Sequence, residues 1–137
     1  MTHDLHQIGE VAEQVGLSLR TVRYYEEQGL LVPATRTDGG FRLYGDEQIE
    51  RLALIKQMKP LGFTVQQMRQ LLCARDTLRD PQADLGERDA ASQRLRDFAA
   101  AAARRCEELS GQLALANEFA RRLRREARVT TAHNRAS

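Results

Sequence analysis

The sequence contains no tryptophan, only two cysteines and no long apolar run, and each absence excludes a class of protein. Aromatic residues make up 5% of the chain, so a large aromatic-lined ligand pocket is not expected. Cys73 and Cys106 lack the close spacing of a structural metal site or a disulfide scaffold. No segment approaches the roughly 18 to 20 apolar residues that span a bilayer, and residues 1–10 lack the apolar stretch of a signal peptide. We therefore expect a cytoplasmic protein.

Recognisable catalytic motifs are lacking as well. The sequence shows no Ser/His/Asp constellation, no glycine-rich phosphate loop and no metal-ligand spacing. His133 is a lone histidine near the C-terminal end of the chain. We therefore predict no enzymatic activity, no cofactor and no metal site.

Charge is unevenly distributed along the chain. The net charge is +2. Residues 1–72 carry eight Lys or Arg and nine acidic residues, whereas residues 73–137 carry thirteen basic and ten acidic residues. Bulk charge therefore does not indicate a polyanionic partner, and any such prediction depends on where individual arginines lie.

Two short helices separated by a glycine turn are predicted near the N-terminus. Apolar residues recur at the i, i+3, i+4 and i+7 spacing of one buried helical stripe: Ile8, Val11, Ala12 and Val15. Gly16 follows as a left-handed cap, and Ser18 is a favourable N-cap for a second helix from Leu19 to about Glu27, which Gly29 closes. This arrangement is typical of a helix-turn-helix.

A β-hairpin and two further helices are predicted next. Residues 30–32 and 41–43 have strand composition, and residues 38–40 supply turn chemistry. A hairpin after a helix-turn-helix forms a wing. Asp46 is predicted to cap a third helix with Ile49, Leu52 and Ile55 facing the core, and residues 60–63 break it. Thr64 with Gln67 has the spacing of a capping box that opens a fourth helix.

From about residue 87 to residue 127 the pattern becomes a heptad seam. Apolar residues step by three or four, with one stutter, at Ala91, Leu95, Phe98, Ala102, Cys106, Leu109, Leu113, Ala116, Ala120 and Leu123. A helix of this length spans about 60 Å. One apolar stripe between charged flanks favours pairing with a second copy of the chain. We therefore divide the chain into a head (1–73), a connector (74–86), a dimerisation helix (87–127) and a flexible tail (128–137).

Several motifs occur in order within residues 7–72: IGEVA at 8–12, GLS at 16–18, TVRYYE at 21–26, GLL at 29–31, RLY at 42–44, Asp46, and LGFT at 61–64. Together they resemble the signature of the MerR family. The resemblance implies a mostly α fold, with a winged helix-turn-helix DNA-binding domain followed by a long helix that forms an antiparallel coiled coil. It further implies a nucleoid-associated homodimer that binds a palindromic promoter operator, distorts the spacer and acts with RNA polymerase.

Candidate DNA contacts lie on the second helix, the wing and the third helix. The second helix would enter a major groove with its first turns, where Arg reaches base edges and hydroxyl groups hold phosphates. The candidates are Ser18, Arg20, Thr21, Arg23, Tyr24, Arg36, Arg42, Tyr44, Lys56 and Lys59. Some of these residues would instead be solvated surface charges, and Arg23 and Tyr24 could pack within the head.

The sequence leaves the effector and the alternatives open. An architectural, excisionase-like DNA-bending protein is one alternative. A thiol-responsive regulator using Cys73 or Cys106 is another, although Cys106 on the seam is predicted to be a small buried hydrophobe. The basic residues 121–125 are attributed in part to the helix C-terminal dipole. An extra phosphate contact from Arg121 and Arg125 is a further hypothesis.

Overall fold

The computed structural model describes residues 5–136, except for the side chains of residues 132, 133 and 136. The elements are β1 (His6–Gln7), α1 (Ile8–Val15), α2 (Leu19–Glu27), β2 (Thr35–Arg36), β3 (Arg42–Tyr44), α3 (Asp46–Met58), a 3₁₀ turn (Lys59–Leu61), α4 (Val65–Arg79) and α5 (Leu85–Ala136). The chain divides into two compact units, one up to Phe98 and one from Ala99 onward.

Local capping defines helices α1 and α2 as the sequence predicts. Gly16 adopts φ +73° at the end of α1, where a side chain would be strained. The Ser18 hydroxyl accepts a hydrogen bond of 3.1 Å from the Thr21 backbone N–H and so caps α2. Val11 and Val22 are fully buried between the helices. The helix-turn-helix is therefore confirmed.

The wing is a three-stranded antiparallel sheet in the order β1–β3–β2. The strand predicted at residues 41–43 is present as β3, shifted by one residue, whereas the strand predicted at residues 30–32 is absent. Leu30 and Leu31 are each 1% exposed, so residues 30–32 do not form the expected strand. Successive strand residues point to opposite faces, whereas these two leucines both enter the core. The strand β2 lies further along the chain, with Arg36 opposite Arg42. The strand β1 could not be predicted from the sequence, because two residues are too few to show the alternation of apolar and polar side chains that marks a strand.

Helices α3 and α4 close the core of the head. Gly45, and not Asp46, is the N-cap of α3, and its N–H donates to Gln48 Oε1 at 2.7 Å. Asp46 lies in the first turn, where its charge favours the helix dipole. The Thr64–Gln67 capping box forms as predicted. The largest fully buried side chains are Tyr44, Leu30, Leu31, Leu52, Ile55, Leu72, Val11 and Val22.

The expected connector at residues 74–86 is too long. Helix α4 continues past Cys73 to Arg79, since no Gly or Pro interrupts it before Pro81. Helix α5 begins at Leu85, where Asp84 Oδ1 accepts from the Glu87 N–H at 2.7 Å. Only residues 80–84 connect the two helices. Ala91 is buried, and the Phe98 ring meets Phe63 edge-on with centroids 5.7 Å apart.

The second unit is helical throughout its described residues, 99–136. Residues 128–136 of the segment predicted as a flexible tail (128–137) are helical and contain no Gly or Pro, and residue 137 lies outside the described residues. The Thr130 and Thr131 hydroxyls bond back to the carbonyls of Glu126 and Ala127 at 3.0 and 2.9 Å. Within residues 5–136, no helix is long and apolar enough to cross a membrane.

Candidate nucleic-acid interface

Helix α2 separates its buried and exposed side chains cleanly. Val22 and Tyr25 point into the core, at 0% and 3% exposure. Arg20 and Arg23 are exposed, and Tyr24 is 45% exposed. The alternative that Arg23 and Tyr24 pack within the head is therefore not supported. The Tyr24 ring does lie beside that of Tyr25, with the ring centroids 5.7 Å apart. The outer face of α2 presents two guanidinium groups and a phenol.

Ser18 and Thr21 form a small hydroxyl pair at the start of α2. Their oxygens are 2.7 Å apart, and Ser18 Oγ also accepts from the Thr21 N–H. One hydroxyl hydrogen is used between the two side chains, so the other hydrogen is free to donate outward. Both side chains therefore serve the helix cap and still offer a donor to an anion such as a phosphate.

An open cavity of about 550 Å³ lies between α2 and the start of α4. Its apolar floor includes Tyr25, Phe63 and Met68, whereas Arg20 and Lys59 supply its cations. Among the described residues, neither the Arg20 nor the Lys59 side chain forms a hydrogen bond or ion pair. The cavity thus combines two uncompensated positive charges with the exposed hydroxyl-bearing end of α2.

The wing places its candidate residues in different surroundings. Arg36 is exposed and lacks an ion pair within residues 5–136. Arg42 Nε lies 2.6 Å from Glu26 Oε1, and the Tyr44 hydroxyl donates to Glu26 Oε2. Burial, followed by this hydrogen bond, raises the pKa of Tyr44 well above its usual value. Tyr44, predicted as a DNA contact, therefore has a fully buried side chain whose hydroxyl is used within the head.

Tyr25 shows the same effect of burial on a phenol. Desolvation by the core, and then the neighbouring Tyr24, raise its pKa above the usual value of 10.0. Both buried tyrosines therefore remain protonated at neutral pH, whereas Tyr24 is the tyrosine that faces outward.

Other basic side chains of the head are used to join its elements. Lys56 Nζ donates to the Val15 carbonyl oxygen at 2.8 Å, which satisfies the C-terminal end of α1. Arg51 Nε donates to the Leu30 carbonyl at 2.7 Å, and Arg69 Nη2 donates to the Gln28 carbonyl at 2.7 Å. Lys56, predicted as a DNA contact, thus has an intramolecular role.

The candidate interface therefore consists of the predicted residues that keep an outward donor: Ser18, Arg20, Thr21, Arg23, Tyr24, Arg36 and Lys59, with Arg42 held at its edge by Glu26. Sequence reasoning missed Glu26, which links α2 to β3. It also missed Phe41, which is 66% exposed beside the wing turn. Glu26 lies in the TVRYYE motif, but its partners are distant in sequence, so no local spacing reveals its role.

Neither cysteine belongs to a cluster that could hold a metal. Cys73 and Cys106 are exposed free thiols. Within the described part of the chain, no three His, Cys, Asp or Glu side chains lie close enough together to hold a metal ion. The expectation that Cys106 is buried does not hold in a single chain.

Comparison with known proteins agrees with this geometry. Residues 7–74 match the family model "MerR HTH family regulatory protein". The mercuric resistance operon regulatory protein of Bacillus cereus is 42% identical over 66 residues, which cover 48% of this chain and 50% of that protein. The transcriptional regulator ZntR of Escherichia coli K12 is 39% identical over 71 residues, 52% of this chain and 50% of that protein. The chain spans about half or less of the length of such curated relatives.

Solved structures extend the similarity beyond the head. A MerR family transcriptional regulator from Listeria monocytogenes has a TM-score of 0.66 at 23% identity, covering 82% of this chain and 80% of that chain, which supports the fold. The regulator PbrR691 of Ralstonia metallidurans, solved with lead(II), has a TM-score of 0.52 at 30% identity and covers 79% of this chain and 82% of that one. The motifs, the winged helix-turn-helix and these matches together show that the chain belongs to the MerR family.

Proposed function

We propose that the chain is a sequence-specific DNA-binding transcriptional regulator that acts as a homodimer on a palindromic promoter operator. The observation that carries the proposal is the outer face of α2, where Arg20, Arg23 and Tyr24 are exposed beside a capped helix N-terminus. Guanidinium groups read guanine edges bidentately, and hydroxyl groups hold phosphates. Membership in a family of regulatory proteins supports the same function.

The wing and the 3₁₀ turn would add phosphate contacts to those of α2. Arg36 extends from β2, and Lys59 begins the 3₁₀ turn. Both are exposed cations without an ion pair among the residues that the structure describes. Phosphate contacts fix the register of a protein on the duplex, whereas base contacts set its sequence preference. In this proposal Arg20 and Arg23 therefore determine specificity, and Arg36 and Lys59 determine position.

Dimerisation is proposed through the seam of helix α5. Leu113 and Leu123 are 61% and 48% exposed in the single chain, although both occupy heptad positions. The proposed dimerisation residues are Leu95, Phe98, Ala102, Cys106, Leu109, Leu113, Ala116, Ala120 and Leu123. Phe98 already packs edge-on against Phe63 of its own chain, so its contribution to dimerisation would be shared with the head. A second copy would cover the remaining exposed apolar side chains.

The mechanism proposed for transcription is distortion of the promoter spacer in concert with RNA polymerase, in the cytoplasm where the nucleoid lies. This step is carried over from the family. A steep dependence of binding on salt is expected, because phosphate contacts release counterions.

We propose as an addition that the regulator responds to oxidation of a thiol, because Cys73 and Cys106 are both exposed in the single chain. Cys73 lines an open cavity of about 260 Å³ together with Arg94 and Glu87, and Cys106 lies on the proposed dimerisation seam. An oxidised Cys106 would place a polar group in that seam and weaken pairing. If DNA binding by the Cys106→Ser variant keeps the peroxide sensitivity of the wild type, Cys106 is not the responsive thiol.

The test of the main proposal is selection of bound sequences from a random duplex library with the purified full chain. Recovery of a palindrome bound by two protomers would support it, and recovery of no preferred sequence would refute it. Arg20→Ala and Arg23→Ala should each weaken binding to the selected site by about 1–3 kcal/mol, or roughly 5- to 150-fold, and relax one base position. The control Arg104→Ala removes an exposed arginine from α5 and should leave the base preference unchanged.

A further inference from the structure

Helix α5 carries a row of arginines on one side of its C-terminal part. Residues 119–136 contain six arginines and a single acidic residue, Glu126. With about 3.6 residues per turn, five of these arginines fall within an arc of about 100° of the helix surface. These five, hereafter the arginine face, are Arg121, Arg124, Arg125, Arg128 and Arg135.

The arginine face has no internal compensation. All five side chains are exposed. None forms a hydrogen bond or ion pair with another residue of the described chain, whereas Arg122, which points away from the face, pairs with Glu126 at 3.2 Å. A solvated helix surface is usually balanced by i,i+4 pairs of opposite charge. This face lacks that balance and is a concentrated, unpaired positive surface about 21 Å long at 1.5 Å per residue.

The helix dipole does not explain the position of four of these five arginines, Arg135 being the exception. Its favourable effect on cations is confined to the last turn of a helix. Because α5 continues to Ala136, Arg121 and Arg128 lie two or more turns before that end. The extension of α5 beyond residue 127 therefore removes the structural reason that the sequence alone offered for this basic segment.

The composition of the arginine face favours a polyanion over a protein partner. The other side chains along or beside it between residues 117 and 131 are Asn117, Glu118 and Thr131, without an aromatic or aliphatic anchor. Protein interfaces depend on such buried anchors. Duplex DNA instead presents one negative charge per roughly 1.7 Å, and the planar guanidinium group binds phosphate bidentately.

We propose that the arginine face of helix α5 binds the phosphate backbone of duplex DNA as a second, sequence-independent contact, outside the winged helix-turn-helix. The proposal rests on the proposed function, because sequence-specific binding by the head is what would hold the duplex within reach. The centre of the apolar seam at Leu113, Ala116 and Leu123 lies about a third of a turn from the centre of the arginine face, and Leu113 adjoins Arg124 at its edge. The rest of the arginine face can therefore stay exposed when the seam is paired.

The test measures affinity against salt concentration for the full chain on two duplexes of equal length, one with the selected site and one scrambled. Arg121→Gln/Arg125→Gln should flatten the slope of log affinity against log salt by about one per lost phosphate contact in each protomer, equally on both duplexes. The matched control, Arg104→Gln/Arg122→Gln, removes the same charge from another side of α5 and should keep the slope. Arg121→Lys/Arg125→Lys should also keep it, since Lys retains a charge for phosphate.

Equal slopes for the wild type and the Arg121→Gln/Arg125→Gln variant would overturn the proposal. So would an equal loss in the control, which would indicate that net charge alone, and not the arginine face, determines the salt dependence. Gln preserves helix preference, and Arg128→Gln/Arg135→Gln provides a second pair if the first disturbs dimerisation. Failure of the proposed function is distinguishable, because the wild type would then show no preference for the selected duplex.

Discussion

The head and the second unit of this chain use the same residue types in opposite ways. In the head, leucines such as Leu30, Leu52 and Leu72 are buried, and several basic side chains bond to carbonyl oxygens of neighbouring elements. In the second unit, Leu113 and Leu115 are 61% and 70% exposed. The head buries several of its leucines and uses several cations to join its elements, whereas the second unit leaves most of its leucines and the five arginines of the arginine face exposed. Stability should therefore be concentrated in the head, and association in α5.

Breaking the core of the head should give the largest effect. Leu52→Ala removes a fully buried side chain from α3 and should lower the free energy of unfolding by about 2–5 kcal/mol through lost burial and a residual cavity. Urea denaturation followed by circular dichroism measures this change. Leu115→Ala, on an exposed site of α5, serves as the control and should change stability by less than about 0.5 kcal/mol. Similar losses in the two variants would contradict the contrast between the units.

Substitutions at two exposed leucines on different faces of α5 should differ in their effect on dimerisation. Leu113→Asp places a charge on the seam and should weaken dimerisation by at least about 2 kcal/mol, roughly 30-fold in the dissociation constant. Leu115 lies two residues away on another face of α5 and has a similar exposure. Sedimentation equilibrium of Leu113→Asp and Leu115→Asp is the measurement. An equal effect of both substitutions would place the interface elsewhere.

The joint between α2 and the wing should give a smaller effect. Tyr44→Phe removes the hydrogen bond to Glu26 and should cost about 1.5–3 kcal/mol, since the acceptor is charged. Because folding raises the pKa of Tyr44, its contribution is complete below the unfolded pKa of about 10 and is lost as pH rises above it. Unfolding curves at pH 7 and above pH 10 test this. DNA affinity of the folded variant should be unchanged, because Arg42 still joins the wing to Glu26, and a specific loss of affinity would show that the Tyr44 side chain is needed for binding.

The cap of α2 should give the smallest effect and separate folding from binding. Ser18→Ala removes the acceptor for the Thr21 N–H and should cost about 1 kcal/mol of stability. Ser18→Asp keeps a capping oxygen and should retain stability. It also places a negative charge at the proposed interface, so its DNA affinity should fall below that of the wild type. Thermal melts with binding assays on both variants check the pair, and unaltered binding by Ser18→Asp would exclude Ser18 from the interface.

Features determined by neighbours in sequence were predictable. Gly16, Ser18 and the Thr64–Gln67 pair act over three or four residues, and the structure confirms each of them. The buried stripe of α1 follows from helical periodicity alone. Such signals predict the helix-turn-helix and locate most of the candidate interface.

Features that depend on distant contacts were not predictable. Residues 30 and 31 have strand composition, but burial of both leucines against the helices overrides it. Tyr44 resembles a surface residue of a wing until its bond to Glu26, eighteen positions earlier, is known. Lys56 likewise bonds to Val15, forty-one positions away. Tertiary contacts decide which polar side chains are used within the fold and which face outward.

Glu26 has a mechanical consequence for the proposed function. The Glu26 carboxylate, which belongs to α2, contacts two side chains of strand β3 in the wing. It pairs with Arg42 and accepts a hydrogen bond from the buried Tyr44 hydroxyl. The wing and the helix proposed to read bases therefore move together, with little freedom to adjust separately. A duplex whose backbone does not follow this fixed angle must itself deform, because the protein is stiff at this point. Shape mismatch would then be converted into strain in the DNA.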